Sequence, residues 1–206
     1  MIIELFGCPG CGKTYLIHEL TGETNTVAMS NNRLKNILIR FIKEASLYTP
    51  ESRVLYHKLN ICVKGQNHKG IYISKSVDDF LKNIVILAFG YKHIKKDIYM
   101  AEGLVHRVVS TAVNFSWNSE IVELLIDALA DYMTNVVPIY LNVDQTTCFQ
   151  SIKARNRHEN EMDELSDTDL VKFLEAYKAL FDCIAKSKSY LTVNRDDYYK
   201  IRELAK

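Results

Sequence analysis

Residues 7–14 read GCPGCGKT. Two spacings overlap in these eight positions. Gly7 to Thr14 follows G-x-x-x-x-G-K-T, the spacing of a backbone cradle for nucleotide phosphates. Cys8 and Cys11 form a C-x-x-C pair, the spacing of thiol redox centres and half zinc sites. The flanking residues, together with the positions each reading leaves without a role, decide between them. MIIELF at 1–6 is a short β-type run that enters Gly7 directly, and 13–20 has helical spacing with Gly22 as its stop. A phosphate cradle requires that order of strand, glycine-rich turn and helix. The glycines let successive backbone N–H groups point into one concavity and let phosphates approach closely. The helix N-terminus adds partial positive charge. A thioredoxin-like centre also uses a strand-to-helix junction, but it leaves Gly7, Gly12, Lys13 and Thr14 without a role. A zinc site lacks a second pair at ribbon spacing, and His18 is one further ligand without a fourth. The cradle takes up both cysteines as its free positions.

This reading predicts nucleotide contacts from Gly7, Pro9, Gly10, Cys11, Gly12, Lys13, Thr14 and Tyr15, with ATP as the donor. Lys13 reaches the outer phosphates, and the Thr14 hydroxyl holds Mg²⁺. Phosphoryl transfer also calls for a carboxylate near the metal, at the end of a neighbouring strand. Glu102 in KDIYMAEG (96–103) ends a β-run before Gly103 and is chosen for that place; Glu4 lies inside the first strand and is not. Near the C-terminus NRDD (194–197) loosely fits the guanine-reading N-K-x-D pattern. Its lysine is replaced and no D-x-x-G follows the strand near residue 100, which argues against a GTPase switch. Asn194 is still expected to brush the base of a bound nucleotide.

Strands are predicted over 1–6, 26–30, 97–101, 136–143 and 190–193. Helices are predicted over 13–20, 34–45, 54–63, from Ser76 toward residue 89, and over 104–113, 119–133, 146–154, 170–186 and 196–205. Pro50, Gly65 and Gly70 break up 47–76, and Gly90 either bends or ends the helix that contains it. Pro138 places its strand at a position that can lose one donor. Strands alternating with helices imply an α/β fold with a mostly parallel sheet covered on both faces. At 206 residues the chain is expected to form a single domain, with 31–95 as an acceptor-binding part and the polar stretch 155–169 as a lid.

Bulk properties narrow the function. Lys and Arg (26) nearly balance Asp and Glu (25), and no basic run exceeds a pair, so a broad nucleic-acid-binding face is not expected. No apolar run reaches the length of a membrane span, and residues 1–6 are too short for a signal peptide. The five scattered cysteines read as reduced thiols of a cytoplasmic protein.

Three segments, GCPGCGKT, IYMAEGLVHR, and VPIYLNVDQTTCFQSIKARNRHENEMD with the helix after it, resemble the P-loop small-molecule kinases of the nucleotide kinase group, with thymidylate kinase-like proteins nearest in layout. The resemblance implies a three-layer P-loop NTPase fold and a basic lid closing over the transferring phosphate. Arg155 and Arg157 match the lid positions, with Lys153 and His158 beside them. The sequence also departs from that pattern. The Asp-Arg pair after the third strand is Glu102-Gly103, with Arg107 one helical turn on, and the Arg-Glu-Pro run after the second strand is SNNR at 30–33. The resemblance thus supports kinase more than thymidylate.

The expected function is ATP- and Mg²⁺-dependent phosphoryl transfer to a small metabolite, with Lys13, Glu102, Arg155 and Arg157 catalytic and Thr14 and Glu102 holding the metal. Arg33, Arg40 and Arg107 are the expected grip on the acceptor. No carboxylate follows 28–30 until Glu44, so the balance of charge favours a phosphorylated acceptor such as a nucleoside monophosphate. A kinase of a free nucleoside or sugar hydroxyl is the first alternative. A regulatory or assembly ATPase acting on a protein partner is the second. A kinase works alone or as a small fixed oligomer such as a homodimer; the ATPase would need a stable protein interface.

Overall fold

Every residue of the first strand, β1 (Ile2–Phe6), is buried. Both of its faces are therefore covered, as an interior strand of a parallel sheet requires. The computed structural model describes residues 1–22, 44–71, 75–155, 161–197 and 199–201. In it β1 lies between β2 (Ile98–Met100) and β3 (Val136–Leu141), with β4 (Leu191–Val193) beyond β3. All three pairings are parallel, in registers that include Glu4↔Met100, Phe6↔Tyr140 and Ile139↔Leu191. Pro138 sits one residue before β4 joins β3, a place where a missing ladder donor is tolerated. With helices flanking the parallel sheet, the architecture is the α/β fold that the sequence predicts.

The helices are α1 (Lys13–Thr21), α2 (Pro50–Cys62), α3 (Val77–His93), α4 (Leu104–Phe115), α5 (Ser119–Ala128), α6 (Gln145–Arg155) and α7 (Asp167–Ser187). Helix α2 begins earlier than predicted. Pro50 occupies its first turn, where no N–H is needed, and Thr49 caps it by accepting from the Ser52 amide. Ser76 and Asp79 form a reciprocal capping box that starts α3, which runs straight through Gly90 to His93. The predicted 119–133 helix ends sooner, because Leu129 N–H turns back to the Ile126 carbonyl and a 3₁₀ turn, Ala130–Tyr132, follows. Of the segment predicted as a lid, Arg155 belongs to α6, residues 161–164 form a 3₁₀ turn, Ser166 caps α7 by accepting from Asp169 N–H, and 156–160 lie outside the described residues. The strand and most of the helix predicted over 26–45 lie outside the described residues, as does half of the helix predicted over 196–205.

Helix α4 is buried nearly all round, packing on β1 and among α3, α5 and α7. An aromatic cluster joins the sheet to α7: Phe6 stacks on Tyr140 with centroids 5.3 Å apart, and Phe181 lies 5.4 Å from Phe6. No described helix is long and apolar enough to cross a membrane.

The α3 helix gives a contrast between packing and capping. Leu81 is fully buried, so Leu81→Ala is expected to destabilise the fold by about 2–5 kcal/mol. Ser76→Ala removes one half of an exposed capping box and is expected to cost about 1 kcal/mol. Chemical denaturation of both variants checks the order; equal losses would contradict the assigned packing.

Candidate active site

The loop between β1 and α1 owes its path to close backbone packing. Gly10 has φ +83°, and a Cβ there would lie 2.5 Å from the Cys148 carbonyl oxygen at the start of α6. Only glycine meets both demands. The loop is thereby pressed against α6, the helix that carries Arg155. The α1 N-terminus behind Gly12 has no side-chain cap, which leaves its first amides to a ligand. Lys13 is buried, and its Nζ donates to the carbonyls of Gly7 (2.8 Å) and Cys8 (3.1 Å) and to Cys11 Sγ (3.6 Å). The ammonium therefore sits on the loop itself, poised beside any phosphate the loop receives.

A cavity of about 550 Å³ opens over this loop. Pro9, Gly10, Gly12, Lys13 and Thr14 form its floor. Glu102 and Arg107 come from the end of β2 and the first turns of α4, and their side chains pair at 3.5 Å. Arg155 approaches from the end of α6, with Glu161 and Met162 beyond it. Lys75, Phe80, His106, Ser110 and Tyr177 also line the cavity, with Tyr177 donating to Ser110 Oγ at 2.8 Å. The structure thus brings Lys13, Thr14, Glu102, Arg107 and Arg155 to one cavity from three separate parts of the chain. Arg33, Arg40 and Arg157 lie outside the described residues. Lys153 pairs with Asp167 at 2.5 Å and ties α6 to the start of α7 across the base of the predicted lid.

A second, smaller cleft of about 100 Å³ lies on the far side of α1, between Tyr15 and Arg195. Asn194 is not among its lining residues. A Cβ at Gly12 would be 3.8 Å from Arg195 Nε, so Arg195 is the member of that loop that faces the cradle. The sequence offered no means of choosing between neighbours in NRDD, because the turn that orients them is tertiary.

The thiols of Cys8, Cys11 and Cys148 are all buried against the back of the loop. A hydrogen bond with Cys8, together with burial, raises the Cys148 thiol well above its ordinary value. Among the described residues no group of three His, Cys, Asp or Glu side chains is arranged to hold a metal ion. Mg²⁺ does not need such a group, since it keeps several waters and takes one or two protein oxygens beside substrate phosphates. Thr14 and Glu102, two exposed oxygen donors on one cavity with the cradle, fit that demand.

Several contributors to the cavity escaped the sequence reading, among them Ser110 and Tyr177. Lys75 and Phe80 flank the α3 cap, where their presence reads as helix-start chemistry. His106 stacks on Tyr177 and Phe181 at centroid distances of 6.1 and 5.8 Å, and its Nδ1 has no hydrogen-bond partner among the described residues. Burial, aided by the positive charges of Lys13 and Arg107, holds the His106 ring neutral. Glu4 did leave a signal, a lone charge in an apolar strand. It is fully buried beneath the cavity, accepting from Leu104 N–H (2.9 Å), His106 N–H (3.1 Å) and Tyr91 Oη–H (3.3 Å). Burial pushes its carboxyl up to about 7, against the pull of those donors.

No protein-family model matches the chain, and no curated protein does. Among solved structures the chain is similar to a deoxyadenosine kinase from M. mycoides with bound dCTP, at 17% identity over 94% of this chain and 89% of that one, with a TM-score of 0.48.

The buried acid predicts a pH signature. The folded chain holds the Glu4 proton more tightly than the unfolded chain, whose carboxyl titrates near 4.5. Its contribution to stability is full below that pH and is lost as pH rises through about 7. A displacement of this size corresponds to on the order of 3 kcal/mol. His106 works with the opposite sign, costing stability as pH falls below its ordinary value of 6.5. Glu4→Gln removes the first effect and keeps the second. The melting temperature of the wild type is therefore expected to fall relative to Glu4→Gln between about pH 4.5 and 7. A difference that is flat over that range would contradict the buried-acid assignment.

Proposed function

We propose that this chain is an ATP- and Mg²⁺-dependent phosphotransferase acting on a small phosphorylated metabolite, with nucleoside monophosphates the favoured class. The observation that carries the reading is the single cavity in which an uncapped helix N-terminus, Lys13, Thr14, Glu102 and Arg155 meet a second pair of cations, Lys75 and Arg107. One cationic group suits the donor phosphates. The other suits an acceptor that is itself an anion and must be held against the donor's charge.

The roles follow from position. The loop amides and Lys13 bind the donor phosphates and orient them toward the α4 side of the cavity. Bound Mg²⁺, held by Thr14 and Glu102 directly or through water, would neutralise charge on those phosphates. Arg155, with Arg157 beyond the described residues, stabilises the charge spread over the transferring group. Arg107 and Lys75 grip the acceptor phosphate, joined on this reading by Arg33 and Arg40. Phe80 and Tyr177 offer rings against which a flat acceptor stacks. A phosphate oxygen is already ionised at neutral pH, so transfer to it needs no general base. The stretch 31–95 serves as the acceptor side and 155–169 as the lid of one domain. Tyr15 and Arg195 frame the donor base.

The test offers matched pairs, each a nucleoside or sugar and its monophosphate, with labelled ATP and Mg²⁺. Transfer to the monophosphates is expected. Transfer to the free hydroxyl compounds alone would replace the acceptor assignment, and transfer to neither would overturn the reading. Lys13→Ala is expected to lower kcat by about 10²–10³-fold or more with the fold retained by circular dichroism. Glu102→Gln is expected to raise the Mg²⁺ requirement, and Arg107→Ala to raise the acceptor KM about tenfold or more with a smaller effect on the KM for ATP.

A further inference from the structure

We propose that Glu4 is the positioning residue of the cavity: its carboxylate holds the first turn of α4 from below and so fixes Glu102, His106 and Arg107 against the phosphate loop. The geometry has three independent parts. Helix α4 opens at Gly103, which supplies no side-chain cap. The first-turn amides that a cap would satisfy are taken by Glu4, about a hundred residues away in sequence: Oε2 accepts from Leu104 N–H and Oε1 from His106 N–H. When ionised, Glu4 also complements the helix dipole.

The second part is the space at Gly103. A Cβ there would lie 2.2 Å from both Glu4 Cδ and Tyr91 Oη. Its φ of −83° is open to any residue, so glycine is required by the closeness of the carboxylate and not by backbone conformation. The third part is the doubled attachment. The backbone of Glu4 is in register with Met100 at the end of β2, and its side chain holds Leu104. The intervening residues 101–103, which carry Glu102, are tied at both ends to one residue. With the α4 amides occupied by Glu4, anionic charge on this side of the cavity meets the Arg107 side chain and not the helix end.

The metal part of the inference rests on the phosphotransferase reading; the anchoring part does not. Two measurements separate them. Amide hydrogen exchange is followed at Leu104 and His106, and binding of the non-hydrolysable analogue AMP-PNP is measured with and without Mg²⁺. In the wild type the two amides are expected to exchange slowly, although uncapped first-turn amides exchange fast. Fast exchange there would overturn the anchor without any variant. In Glu4→Gln the side-chain NH₂ faces one of the two amides, and that contact is lost. Exchange at the pair is expected to rise by about tenfold or more. AMP-PNP affinity without Mg²⁺ is expected to stay within about twofold, while the Mg²⁺ concentration for half-maximal tightening rises about tenfold. Equal loss of affinity with and without Mg²⁺ in a folded variant would reduce Glu4 to a general structural role and overturn the positioning claim. If the wild type binds no AMP-PNP at all, the phosphotransferase reading fails while the exchange data still decide the anchor. Tyr91→Phe, which spares both amide contacts, should leave exchange at Leu104 and His106 slow; a tenfold rise there would overturn the assignment of the grip to Glu4.

Discussion

A carboxylate buried in a β-strand must find donors, and here the donors are the first-turn amides of another element. Glu4 sits among apolar neighbours in β1 with no exposed surface. Left unpaired, such a group costs several kcal/mol, so its partners are fixed almost as firmly as its own backbone. The partners are Leu104 and His106, and through them the end of β2 and the start of α4 are held to β1. The other end of β1 runs into the glycine-rich loop. One five-residue strand therefore carries both the cradle and the support of the wall that faces it.

The charges of the cavity are arranged by the same economy of amides. Two helix N-termini point toward it. That of α1 is left without a side-chain cap, and that of α4 is filled by Glu4. Positive potential at α1 comes from its free amides and Lys13, and other side-chain cations, Arg107 and Lys75 among them, add to it around the cavity. His106 lies between these groups and stays neutral, since a further positive charge beside Lys13 and Arg107 in a buried place is disfavoured. On the proposed reading this gives the donor a rigid seat and the acceptor a grip made of longer, adjustable side chains.

The three thiols behind the loop complete its packing. Cys8, Cys11 and Cys148 are small apolar fillers at a place where the backbone of residues 7–12 presses against β3 and α6. Gly10 presses the loop against α6, which starts at a cap made by Asp144, accepting from Thr147 N–H at 2.8 Å, and which carries Arg155.

The sequence by itself determined the strand, turn and helix around GCPGCGKT, the alternation of strands and helices, and the naming of Lys13, Thr14 and Glu102 as candidates, which the structure brings to one cavity. These are local matters: glycine spacing, apolar period and strand ends are properties of neighbouring residues. It also carried Arg107 and Arg155, because each lies within a few residues of a readable element end. Only the tertiary structure decided that Arg195 and not Asn194 faces Gly12, that α3 continues through Gly90, and that Lys75, Phe80, His106 and Tyr177 share a cavity with the loop. Glu4 shows the reason most plainly. In sequence it is a charge in the wrong place within a strand, and its role appears only when Gly103, about a hundred residues away, leaves it the space to reach a helix end.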